Sequence, residues 1–271
     1  MVKPKPGLPT VSAQAFDLSA PSTTRISVEL IPRSVDHLRR DVETVAKHLG
    51  DVDTINVPDQ AKFDLSSWDA CALAKETAAG YNTIPHIRAQ DLEPDRALPM
   101  LRAIERADIK ELLIVSGDPP QDQADEILGV SALDAIARIH RELPHVAVYA
   151  GLDPYRQAPQ REVAYAEQKL EAGAAGFFTQ PFFDVSLMAA WASLLPRGVP
   201  IWWGTTNVTS EASRRYWQRV NHAVFPHDFE VTLDWQRSYA QRALSFAREH
   251  HQNVYMMPIS VDVHDYLGGL V

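Results

Sequence analysis

Short aliphatic runs recur along this chain, and between them the apolar positions return every three to four residues. The runs fall at 26–31, 52–57, 82–87, 111–115, 146–150, 176–179, 200–203 and 253–259. That at 112–115, Leu-Leu-Ile-Val, is apolar without alternation, as expected of a strand buried on both faces. Segments 35–49, 96–106, 133–142, 161–172 and 233–249 carry the helical period, and 68–73 also reads as helix. Strands alternating with helices imply parallel pairing through helical crossovers. Eight such units match a closed barrel better than a doubly wound sheet, so the predicted fold is α/β, a single (β/α)8 TIM barrel over residues 26–271. Residues 1–25, with several prolines and serines, read as an N-terminal arm. No linker, repeat or low-complexity block divides the remainder.

Barrels of this kind carry their chemistry at the carboxyl ends of the strands. In Ser27-Val28-Glu29-Leu30-Ile31 a carboxylate stands inside a strand, on the face it shares with Ser27 and Ile31. Asn56 closes the second strand and His86 the third. Asp118 follows the fourth in Gly117-Asp118-Pro119-Pro120, Tyr149 ends the fifth, and Gln180 follows the sixth in Thr179-Gln180-Pro181-Phe182-Phe183-Asp184. Each has an ordinary structural reading; Asp118, for example, suits a turn or a helix cap. Six polar side chains converging on one rim point to a site.

Composition narrows what that site could serve. The chain has 271 residues, is 45% hydrophobic and carries a formal net charge of −9, enough to bury a large core and wrong in sign for a general nucleic-acid surface. A single cysteine, Cys71, excludes an internal disulfide and a multi-cysteine zinc site, and its helical context reads as core. The pair His250-His251 sits at a polar helix end with its members facing different ways, so no metal is expected. No run approaches the ~20 apolar residues of a membrane span, and the first residues lack a signal-peptide pattern; a cytoplasmic protein is expected. Dinucleotide glycine fingerprints, phosphate-binding loops, serine elbows and zinc-peptidase helices are all missing. A Schiff-base aldolase is disfavoured, because no lysine reads as inward on a strand.

Ser27-Val28-Glu29-Leu30-Ile31-Pro32, Pro85-His86, Gly117-Asp118-Pro119-Pro120, Glu171-Ala172-Gly173-Ala174 and Thr179-Gln180-Pro181-Phe182-Phe183-Asp184 occur in the order of the motifs of methylenetetrahydrofolate reductases, which the chain resembles from about residue 26 to 184. The resemblance implies a short, bacterial-type catalytic barrel. It would use FAD and NADH or NADPH to interconvert 5,10-methylenetetrahydrofolate and 5-methyltetrahydrofolate in one-carbon metabolism that feeds methionine biosynthesis. It implies Glu29 as general acid and Asp118 as the carboxylate facing folate and flavin. Gln180 would contact the folate, with Asn56, His86, Tyr149 and Lys169 near the flavin. A tetrahydrofolate derivative and NAD(P)H are the expected partners, and homo-oligomer formation stays open. Two positions depart from the pattern: Ser116 stands where the family commonly has Arg before Gly-Asp, and Gln168-Lys169 where it often has Arg-Lys. Fewer cations for an anionic cofactor keep two alternatives in view: hydride transfer without flavin, and a folate- or flavin-binding barrel that is no reductase.

Overall fold

The computed structural model describes residues 23–60, 62–117 and 130–271. Most of the expected arm, and Asp118, lie outside the described residues. Among the described residues eight strands occur, β1 (Ile26–Glu29), β2 (Thr54–Val57), β3 (Asn82–Arg88), β4 (Glu111–Val115), β5 (Ala147–Leu152), β6 (Gly176–Pro181), β7 (Ile201–Thr206) and β8 (Asn253–Met257). They pair in parallel in chain order, and β8 closes on β1. The described helices are α1 (Val35–His48), α2 (Ser67–Thr77), α3 (Leu101–Ala107), α4 (Ala132–Glu142), α5 (Pro159–Glu171), α6 (Val185–Leu194), α7 (Glu211–Val220), α8 (Leu233–Glu249) and α9 (Val263–Leu267). The expected (β/α)8 barrel is therefore the fold.

Local chemistry sets most helix starts. Ser34, Ser66, Ser131, Asp184, Ser210, Thr232 and Asp262 each stand before a helix with a side-chain oxygen accepting a backbone N–H of its first turn. α5 begins instead with Pro159, whose missing N–H costs nothing there. Two boundaries differ from the pattern reading. α3 starts at Leu101 rather than near 96 because Pro99 disfavours helical geometry in the residue before it. β7 runs on to Thr206, since Gly204 and Thr206 stay paired with Tyr255 and Met257 although neither is apolar.

Strand alternation sorts side chains into two cores. Outward residues such as Val28, Ile55, Ile87, Leu112, Val148 and Trp203 pack under the helices. Inward residues fill the barrel in layers. At the amino-terminal end Arg25 makes a two-pronged pair with Glu111, at 2.6 and 2.8 Å, and lies 4.9 Å over the Trp202 ring. Above it Phe178 stacks on Trp202 at 4.9 Å and meets Tyr149 and Tyr255 edge-on or tilted at 5.4 and 5.1 Å. This aromatic layer fills the inner core between that ion pair and the carboxyl-end mouth. Among the described residues no helix is long and apolar enough to cross a membrane.

Candidate active site at the carboxyl end of the barrel

The registers Glu29↔Asn56 and Asn56↔Ile84 place the ends of β1, β2 and β3 side by side, so that Glu29, Asn56 and His86 meet inside the mouth. Asn56 organises the group. Its Oδ1 accepts from Ser27 Oγ at 2.6 Å, and its Nδ2 lies 3.1 Å from both Glu29 Oε2 and His86 Nε2. An amide nitrogen only donates, so His86 Nε2 must accept and the ring proton belongs on Nδ1. Ser67, at the start of α2, donates to the His86 carbonyl at 2.6 Å and holds the strand end in place.

Burial sets the charge states of this group. Glu29 is pushed up from 4.5 to about 7, because desolvation outweighs the hydrogen bond from Asn56 that favours the carboxylate. Burial pushes His86 down from 6.5 to about 3. The two side chains come within 3.9 Å, which by distance alone resembles an ion pair. It is not one: above pH 7 Glu29 is ionised beside neutral imidazole, and between about 3 and 7 both groups are neutral. Glu29 is thus a carboxyl that holds a proton near neutrality and can release it.

Gln180 lies within a backbone irregularity near the carboxyl end of β6. The β6–β7 register shifts between Phe178 and Pro181, a bulge that re-aims the residue within it. Its flanks are fixed. Thr179 Oγ1 accepts from Gly204 N at 2.9 Å, the Thr179 carbonyl accepts from the Tyr255 hydroxyl, and the Pro181 carbonyl accepts from Tyr155 at 2.9 Å. The rest of that motif is structural: Phe182 and Phe183 are fully buried and Asp184 caps α6. Gly117, which precedes Asp118, has φ +94, and a Cβ there would press into the Gln90 side chain at 2.5 Å. The motif's glycine is thereby explained.

Two expected residues are not brought to the mouth. Tyr149 lies in the aromatic layer with its hydroxyl turned toward the amino-terminal end, donating to Glu111 at 3.0 Å. Lys169 is buried behind β5, its Nζ 2.6 Å from the Gly151 carbonyl and 4.1 Å over the Tyr165 ring. Desolvation pushes Lys169 down to about 8, against the opposing pull of Glu162. That carboxylate is fully buried and accepts from Arg156 at 2.7 Å, Gln157 at 2.8 Å and Asp153 N at 3.2 Å. Sequence reasoning overlooked Arg88, two residues past His86 on the same strand face, and the period-two alternation of β3 was the signal that could have found it.

A cavity of about 350 Å³ opens between the ends of β1 and β8, reaching Glu29 and lined also by Arg33, His37, Asp41, Ser260 and Asp262. Its size is that of a small-molecule pocket. Tested against a flavin, the described rim offers neutral partners in Asn56 and His86 and cations in Arg88 and, beside the Glu29 cavity, Arg33, while Lys169 and Tyr149 are committed elsewhere. The fit to that group is partial.

A closed parallel (β/α)8 barrel that joins a proton-holding carboxyl, an organising amide and a neutral imidazole at its carboxyl-end mouth defines the class of this protein. More particularly, this chain belongs to the methylenetetrahydrofolate reductase family, whose model matches residues 17–253. Among solved structures it is similar to an uncharacterized protein from Clostridium thermocellum that binds two copies of 5-methyl-5,6,7,8-tetrahydrofolic acid, at 13% identity and TM-score 0.60, covering 90% of this chain and 93% of that one. It is also similar to oxaloacetate acetylhydrolase (11% identity, TM-score 0.56, 89% and 76% covered) and to 2,3-dimethylmalate lyase (12%, 0.56, 90% and 77%). At such identities these likenesses show the barrel alone.

Proposed function

We propose that this barrel interconverts 5,10-methylenetetrahydrofolate and 5-methyltetrahydrofolate, with NAD(P)H as the hydride source and FAD as the relay. The observation that carries the reading is Glu29, a largely buried carboxyl lifted to about 7 and held by Asn56 at the mouth of a barrel of this family. In the reducing direction Glu29 gives its proton to N10 of the folate, the bond from the bridging carbon to N10 breaks, and the electron pair stays on N10. The bridging carbon is left as an iminium on N5, and hydride addition to it makes the N5-methyl group. FAD, when bound, supplies that hydride after reduction by the nicotinamide. Asn56 keeps the Glu29 carboxyl aimed, and His86, neutral throughout the working range, presents no positive charge that would draw the proton off early. Gln180 holds the pterin from β6, and the cavity beside Glu29 admits the substrate. Asp118 is assigned to the positive charge of the iminium. Tyr149 and Lys169 support the cofactor side from behind, as packing beneath the mouth and beside β5.

The partial fit to flavin favours one second reading, direct hydride transfer from nicotinamide to folate at the same site. The visible spectrum of the purified protein, followed by anaerobic mixing with NADH and methylenetetrahydrofolate, decides between them. Flavin absorbance that bleaches with NADH and returns with folate supports the relay. NADH consumption without flavin supports direct transfer, and no turnover with either nucleotide refutes both.

A further inference from the structure

β3 turns Ile84, His86 and Arg88 toward the barrel axis, Ile84 in the inner core and His86 on Asn56. Arg88 ends that row. Its Cα pairs with Val115 of β4, and its side chain is four-fifths buried, with 18% exposure. The guanidinium makes one contact among the described residues, Nε to Asp91 Oδ2 at 3.2 Å, and Asp91 is itself 47% exposed. Neither Nη nitrogen has a partner among the described residues. A largely buried fork whose outer edge has no partner among the described residues is suited to a bidentate oxyanion.

The surroundings restrict which oxyanion. Asp59, at the end of β2, lies within electrostatic reach of both Arg88 and Asp91; burial lifts its carboxyl, Asp91 adds to the rise, and Arg88 opposes it. Two carboxylates flanking one arginine repel a bare anion. They match a ligand that carries hydroxyl donors beside its phosphate, as a sugar-phosphate does. Lys169, the other cation expected on this side, is withdrawn behind β5, and Ser116 offers none.

We propose that Arg88 binds the diphosphate of the dinucleotide that serves this barrel, with Asp59 accepting from the adjoining sugar hydroxyls. The proposal rests on the reading of the protein as a dinucleotide-dependent reductase. The same chemistry occurs in FAD and in NAD(P)H, so the test separates them. Wild type, Arg88→Gln and Arg88→Lys are titrated with FAD, NADH, NADPH and riboflavin, reading tryptophan quenching and calorimetric heat, at two salt concentrations. Loss of a charge-assisted contact predicts that Arg88→Gln weakens the dinucleotide in question about 10- to 100-fold. Arg88→Lys should recover part of that loss, and riboflavin, which has no phosphate, should bind all three proteins alike. The ligand that responds, flavin or nicotinamide, identifies the source of the phosphate. Unchanged dinucleotide binding in Arg88→Gln, or an equal loss for riboflavin, overturns the assignment. A wild-type protein that binds no dinucleotide overturns the underlying reading as well, so the two failures are distinct. Circular dichroism of the variants serves as the folding control, since the only described partner they lose is half-exposed.

Discussion

Replacing Glu29 by Gln should make the protein more stable at neutral pH while abolishing its chemistry. A carboxyl lifted from 4.5 to about 7 disfavours the ionised folded state by about 3 kcal/mol, at 1.36 kcal/mol per unit. The folded state keeps its proton after the unfolded state has released its own. Stability is therefore highest below pH 4.5, falls as pH rises toward 7, and is level above. His86 contributes the opposite slope: its folded value of about 3 lies below 6.5, so stability falls as acid protonates the unfolded chain. The difference between wild type and Glu29→Gln cancels the histidine contribution and isolates Glu29. Urea unfolding followed by tryptophan fluorescence should show the two proteins nearly equal in stability at about pH 4 and Glu29→Gln ahead by about 2–3 kcal/mol at about pH 8. The same variant should lose about 10²–10⁴ in turnover, the usual worth of a general acid, with dinucleotide affinity unchanged. A stability difference independent of pH would refute the raised proton affinity, and turnover at the parental rate would refute the acid role.

Three further outcomes test the surrounding structure. Asn56→Leu removes a hydrogen bond that favours the Glu29 carboxylate, so the pH at which activity declines should move upward; it also strands Ser27 Oγ and His86 Nε2, costing about 1–3 kcal/mol in denaturant unfolding. Arg25→Leu leaves the Glu111 carboxylate and the Tyr149 hydroxyl without their cation at the closed end of the barrel, and should cost about 3–5 kcal/mol by the same measurement, while a loss below about 1 kcal/mol would show that pair to be solvent-screened. In Gly176→Ala the new Cβ would stand 2.3 Å from the Pro200 carbonyl, so β6 and β7 must separate; the melting temperature should fall by several degrees, and an unchanged value would contradict the close approach.

Much of this protein was legible in the order of its residues. Aliphatic runs alternating with helical periods forced parallel strands, because a parallel pair needs a crossover, and eight such units close on themselves. Glu29, Asn56 and His86 could be named in advance, since an inward polar residue near a strand's carboxyl end has only the mouth to occupy. Side-chain direction in the lower layers was not legible. Tyr149 reads as a rim residue until Glu111 and Arg25, far apart in the chain, are seen to draw its hydroxyl to the other end. Lys169 reads as an available cation until the fold buries it against the Gly151 carbonyl. The bulge around Gln180 and the placement of Arg88 beside Val115 likewise depend on pairings between distant strands. Local patterning determines which face of an element is apolar, and so the fold; which polar groups satisfy one another is settled only when the closed barrel brings them within hydrogen-bond reach and removes the water.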